Sequence, residues 1–131
     1  MSDPKRAIAT AAAPQAIGPY AQAVATNDLV FLSGQIPLDP DRGRLVAGTI
    51  EDETRRILLN LAAVLAADGL TLASIVKTTV YLTNLDDFPR VNQTYAEFFT
   101  APFPARATVQ VAALPRGARV EIDAIAVRSP G

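Results

Sequence analysis

The spacing of apolar and polar residues changes along the chain, and each change marks an element. "YAQAVATNDLVFLSG", residues 20–34, reads as two strands joined near Asn27-Asp28, a residue pair suited to tight turns. "PLDPDRGR", residues 37–44, reads as a loop with Gly43 at its tight point. From Thr49 to Asp68 the period lengthens to that of a helix. Ile57, Leu61, Val64, Leu65 and Asp68 share one stripe, all apolar except Asp68. Thr49 is the expected N-cap. Glu51, Asp52 and Glu53 suit the positive end of the helix, and Gly69 suits the residue that closes it.

"SIVKTTVYLTNL", residues 74–85, returns to a strand period. It predicts Ile75, Lys77, Thr79 and Tyr81 on one face and Val76, Thr78, Val80 and Leu82 on the other. A second helix follows, capped by Asp86 or Asp87, with Pro89 in its first turn. Its apolar stripe is Phe88, Val91, Tyr95, Phe98 and Phe99. Two further strands, Arg106–Leu114 and Arg119–Val127, are expected to be joined by Pro115-Arg116-Gly117-Ala118. Residues 1–14, rich in Ala and Pro, are expected to be loosely held.

The order is an α+β pattern within one domain spanning 1–131. Two helices cover one face of such a sheet. Strand residues on the other face, such as Val109 or Val111 with Val120 or Ile122, would then stay apolar and exposed. An apolar patch of that kind marks an interface and predicts an oligomer.

Composition narrows the chemistry. There are no cysteines and no histidines, so thiolate nucleophiles, Cys/His metal sites and His-based catalytic pairs are excluded. Acid–base work falls to carboxylates, tyrosines, backbone groups or water. A net charge of −1 without a basic run argues against nucleic acid and anionic membranes. No window approaches a membrane span, and the first residues lack a signal-peptide pattern, so a cytoplasmic location is expected.

Two charges interrupt otherwise strand-like sequence: Arg106 and Glu121. A two-residue turn at Arg116-Gly117 would set Ala112 opposite Glu121 and place Arg106 about 20 Å away. The two could then serve one small ligand only from different chains. Taken singly, each has an ordinary reading. Arg106 fits a surface ion pair, and Glu121 fits a solvated strand position. Asn60 and Asn92 fit residues that satisfy nearby backbone, Tyr20 a core residue, and Gly18-Pro19 a turn.

Taken together, the segments "AIGPYAQAV", "LSGQIPLDP", "NLAAVLAADG", "VKTTVYL", "FPRVNQTYAEFF" and "FPARATVQVAALPRGARVEIDAIAV" resemble the RidA/YjgF family of reactive intermediate deaminases. The resemblance spans roughly residues 14–128. It implies a chorismate-mutase-like fold, a six-stranded mixed sheet with two helices on one face. It also implies a homotrimer whose sheets form a central barrel with clefts between subunits. The implied activity is hydrolysis of 2-imino acids and their enamines, such as 2-iminopropanoate and 2-iminobutanoate, to 2-oxo acids and ammonia without a cofactor.

Residue by residue, the resemblance gives Arg106 the substrate carboxylate and Glu121 the attacking water. Tyr20 joins this catalytic set. Ser33, Gly34, Asn92 and Thr108 match substrate-binding positions of the cleft. Thr108 stands where some members have cysteine, so a thiol has no part here. Glu53 stands where glutamine is common. A non-catalytic trimeric binder of 2-oxo acids is the main alternative, ahead of a nucleic-acid role or a pathway-specific imine substrate.

Overall fold

A computed structural model describes residues 5–128. Its six-stranded sheet runs in the order β1-β2-β3-β8-β6-β7. The strands are β1 (Arg6–Ile8), β2 (Ala23–Thr26), β3 (Leu29–Gln35), β6 (Ile75–Leu82), β7 (Ala105–Gln110) and β8 (Val120–Val127). All neighbours are antiparallel except β6 and β7, which are parallel and joined through helix α2 (Phe88–Ala96). The first pair turns at Asn27, whose φ of 45° bears out the turn read there. Within "PLDPDRGR" a small hairpin forms, β4 (Leu38–Asp39) against β5 (Arg44–Leu45). That segment is therefore only partly a loop. Gly43, with φ 68°, makes its tight turn, and the Asp39 carboxylate accepts from the Asp41 and Arg42 amides.

Helix α1 (Ile50–Ala66) starts and stops where its sequence directs. The Thr49 hydroxyl accepts from the Asp52 amide at 3.1 Å, and the Asp52 carboxylate accepts from the Thr49 amide at 3.0 Å. This reciprocal cap satisfies two backbone donors that the first turn leaves unpaired. At the other end Gly69 takes φ 74°, and the Leu70 amide reaches back to the Leu65 carbonyl. Ile57, Leu61, Val64 and Leu65 are completely buried against the sheet and α2. In α2 the side-chain cap is neither aspartate. Asn84 caps a preceding 3-10 turn (Leu85–Asp87) by accepting from the Asp86 amide, while Asp87 makes no side-chain cap bond.

Three expectations are corrected. The last two strands do not form a hairpin: β6 lies between them, pairing Tyr81 with Glu121 on one side and with Val109 on the other. The 3-10 turn Pro115–Gly117 redirects the chain past β6 instead. Secondly, Val76 is an extra residue in β6 relative to β8. This bulge turns Ile75 inward and leaves Val76 45% exposed, the reverse of the simple alternation. Thirdly, Val120 and Ile122 lie buried beneath the helices. The open face carries Lys77, Thr79, Tyr81, Glu121, Asp123 and Ile125, together with the exposed Phe31 and Val109.

Residues 5–14 are also better held than their composition suggests; residues 1–4 lie outside the described residues. Arg6–Ile8 pairs with β2, and Arg6 bonds the Asp68 carboxylate at 2.8 Å. The buried Gln22 amide donates to the carbonyls of Thr10, Ala13 and Pro14, and its oxygen accepts from the Thr10 amide. One side chain thus holds the stretch from Thr10 to Pro14, which follows the ladder of β1. No helix among the described residues is long and apolar enough to cross a membrane.

Candidate functional site

The sheet divides the candidate residues between two cavities. Arg106 pairs in register with the buried Thr78, so its side chain emerges on the helix-covered face. Glu121 pairs with Tyr81, and its neighbours Val120 and Ile122 are buried under the helices, so it emerges on the open face. Across two strand spacings and three residues their backbones are roughly 14 Å apart. The hairpin register is wrong, yet its consequence stands on a different geometry. One chain cannot bring these two side chains onto one small ligand.

The first cavity, about 580 Å³, holds Tyr20, Ser33, Gly34 and Glu121. The strand irregularity between Leu32 and Gln35 shapes it. There β3 carries one residue more than β8, and such bulges re-aim the chain beside functional sites. The Ser33 hydroxyl donates to the Ala21 carbonyl at 2.6 Å and its amide to the Gln22 carbonyl, fixing the bulge to the residues just before β2. A Cβ built at Gly34 would fall on the Glu121 carboxylate, so a larger residue there would displace that side chain from its place. Tyr20 is 54% exposed, so it is not a core residue. It follows Gly18, whose φ of 116° is open to glycine and strained for other residues. Arg116 borders the same cavity, with φ 60° and a bond from its guanidinium to the Gly43 carbonyl. Its sequence neighbourhood signals only a turn.

The Glu121 carboxyl is pushed up from its ordinary value, first by burial and then by the nearby Asp123 charge. Among the described residues no hydrogen bond offsets these effects. The charge on Asp123 is itself tied to Tyr81, whose hydroxyl donates to it at 2.9 Å and is made less acidic by it. A group that must lose its proton to act then loses activity on acidification at a higher pH than an ordinary glutamate would. Removing the Asp123 charge lowers the Glu121 pKa. In Asp123→Asn the acid limb of the pH–rate profile is expected to shift towards lower pH. An unmoved limb would show that another group sets it.

The second cavity, about 380 Å³, holds Asn92, Tyr95, Ala96, Phe103, Pro104 and Arg106. Asn92 and Tyr95 come from α2, Phe103 and Pro104 from the run into β7, and Arg106 from β7 itself. The guanidinium of Arg106 lies 4.9 Å from the Tyr95 ring centre and 5.3 Å from that of Phe88. Among the described residues no carboxylate forms an ion pair with it. Thr108 sits two residues further along β7, half-buried opposite Val80, and borders neither cavity. Tyr95 is the residue the periodicity concealed, since a tyrosine in an apolar stripe reads as core.

Two other polar residues serve the scaffold. Buried Asn60 donates to the Leu38 carbonyl at 3.0 Å and accepts from Arg56, tying α1 to β4. Glu53, also buried, pairs with Arg119 at the approach to β8. Among the described residues no group of His, Cys, Asp and Glu is arranged to hold a metal ion.

Comparison with known proteins adds the family. The model for the family described as "Endoribonuclease L-PSP" matches residues 10–128. The chain is 54% identical to Protein DfrA of Myxococcus xanthus, covering 94% of this chain and 95% of that protein. It is 48% identical to the human 2-iminobutanoate/2-iminopropanoate deaminase, covering 96% and 92%. The crystal structure of the YjgF gene product of Escherichia coli superposes with a TM-score of 0.90 at 47% identity, covering 95% and 99%. With a family model matching nearly the whole chain and relatives this similar, the protein belongs to the RidA/YjgF family.

Proposed function

We propose that the protein hydrolyses reactive 2-imino acids and their enamine tautomers, 2-iminopropanoate and 2-iminobutanoate among them, to 2-oxo acids and ammonia. We further propose that it does so in clefts between the subunits of a homotrimer. The observation that carries the reading is the division of the site residues. One face presents a cation that forms no ion pair among the described residues, and the opposite face presents a carboxylate of raised pKa. A second copy that sets its Arg106 cavity against the Glu121 cavity completes the site. Ile17 and Tyr20 at one cavity and Phe103 at the other are more than half exposed, as surfaces that another copy covers would be. The human relative's name supplies the reaction class.

The chemistry needs no more than these groups. Arg106 takes the substrate carboxylate in a two-point contact, which orients the imine carbon. Water adds to that carbon, which is electrophilic once its nitrogen is protonated. Glu121 accepts a proton as the water's oxygen bonds to carbon. It then returns the proton to nitrogen; as the carbon–nitrogen bond breaks, the hydroxyl oxygen gives its remaining proton to Glu121 and becomes the carbonyl, and ammonia leaves the 2-oxo acid behind. The raised pKa of Glu121 suits a group that must both take and give a proton. Tyr20 and Ser33 border the same space, and Asn92 borders the carboxylate side.

The family model's description names an endoribonuclease. A net charge of −1 and a central Glu121 beside Asp123 offer little to neutralise a phosphate backbone, so deamination is the better reading. The test generates 2-iminopropanoate in place from alanine with an amino-acid oxidase. The protein is expected to speed its disappearance well above the rate in buffer. An unchanged rate, with tight 2-oxo acid binding retained, would instead support a non-catalytic binder. Light scattering is expected to give about three chain masses at micromolar concentration. A monomer of full activity would remove the cleft from the account.

A further inference from the structure

We propose that Tyr95 and Phe88 are positioning residues that hold Arg106 by their ring faces and so leave both its charge and its N–H fork free for the substrate. An arginine that must wait for a carboxylate poses a physical problem. Left in water it samples many rotamers, and held by an aspartate or glutamate it is already neutralised. Elsewhere in this chain five of the other nine arginines take the second solution: Arg6, Arg55, Arg90, Arg119 and Arg128 pair with carboxylates. Arg106 differs. Its guanidinium lies within 5.3 Å of two ring centres, the range in which the negative face of a ring attracts a cation. That attraction uses no N–H donor.

The rings are themselves fixed. Tyr95 and Phe88 lie seven residues apart, two turns of α2, and so share one face. The Tyr95 hydroxyl is 2.8 Å from the Thr78 hydroxyl, and both residues are buried. Thr78 is the register partner of Arg106 on the neighbouring strand. The same strand position therefore anchors the ring and sets the arginine backbone. Phe99, with its ring centre 4.5 Å from that of Tyr95, packs against it. The arrangement is a rigid aromatic cradle built by β6 and α2 for one side chain of β7.

The inference rests on the proposed role of Arg106 as carboxylate clamp, and its test does not require turnover. Calorimetry measures binding of pyruvate and of pyruvamide, its neutral counterpart, to the intact assembly. The wild type is expected to prefer the acid. In Tyr95→Leu and Phe88→Leu that preference is expected to fall roughly threefold to tenfold, with pyruvamide affinity unchanged. Tyr95→Phe keeps the ring and is expected to keep the preference. Phe88 is only half-buried, so Phe88→Leu carries the test where Tyr95→Leu does not fold. The proposal is overturned if folded leucine variants keep the full acid preference, or if acid and amide affinities fall together. It is also overturned if Tyr95→Phe loses the preference, or if the wild type shows none. Absence of imine hydrolysis in the wild type would sink the deaminase reading and leave this comparison standing.

Discussion

Arg106→Ala is expected to fold and assemble normally while losing about 2–5 kcal/mol of transition-state stabilisation, the range for truncating a desolvated, hydrogen-bonded charge pair. That is roughly 30-fold to several thousandfold in kcat/KM for 2-iminopropanoate. Folding is expected to survive because the side chain is exposed and makes no ion pair among the described residues. Its ring contacts belong to a helix already held by Val91 and Tyr95 in the core. Arg106→Lys retains a charge but loses the planar fork, so it is expected to recover only part of the activity. Circular dichroism and the oxidase-coupled assay measure the two quantities. A folded alanine variant with wild-type kcat/KM would make Arg106 a surface charge.

Glu121→Gln is expected to act on the other parameter. The amide keeps the shape beside Gly34 but cannot accept and return a proton. Loss of a general acid–base group costs about 10²–10⁴-fold in rate. The fall should therefore appear in kcat, with little change in the dissociation constant of an unreactive 2-oxo acid. Wild-type turnover in this variant would mean that water reaches the imine without Glu121.

What could be read from the sequence was local. The Thr49 cap, the Gly69 closure and the α1 stripe depend on residues within a few positions of one another, and they were legible. The pairing of the last strands was not. Pro115-Arg116-Gly117 carries turn chemistry whether the strands it joins are neighbours or are separated by β6. Insertion of β6 is decided by a parallel crossover through α2, which leaves no short-range signal. The bulge at Val76 was invisible for a related reason, since one unpaired residue shifts the faces without altering composition.

The site divides in the same way. Arg106 and Glu121 stood out as charges within strand-like runs, but only the resemblance gave them roles. Their placement on opposite faces required the true register, Thr78 beside Arg106 and Tyr81 beside Glu121. Asn60 shows the converse. Its ordinary reading, a polar group that satisfies backbone, is what the Leu38 bond bears out. Tyr95 shows the cost of reading a helix by hydrophobicity alone. Its ring contributes to the core while its face meets a charge, and periodicity registers only the first.

The central claim is that each site takes Arg106 from one chain and Glu121 from another. Subunit mixing tests it directly. Arg106→Ala and Glu121→Gln chains, each nearly inactive alone, are unfolded together in equal amounts and refolded. In randomly assembled trimers about a quarter of the clefts receive both wild-type residues, so about a quarter of wild-type activity should return. If both residues served a site within one chain, every chain in the mixture would still lack one of them. Activity no greater than that of the two variants measured separately would then contradict the account.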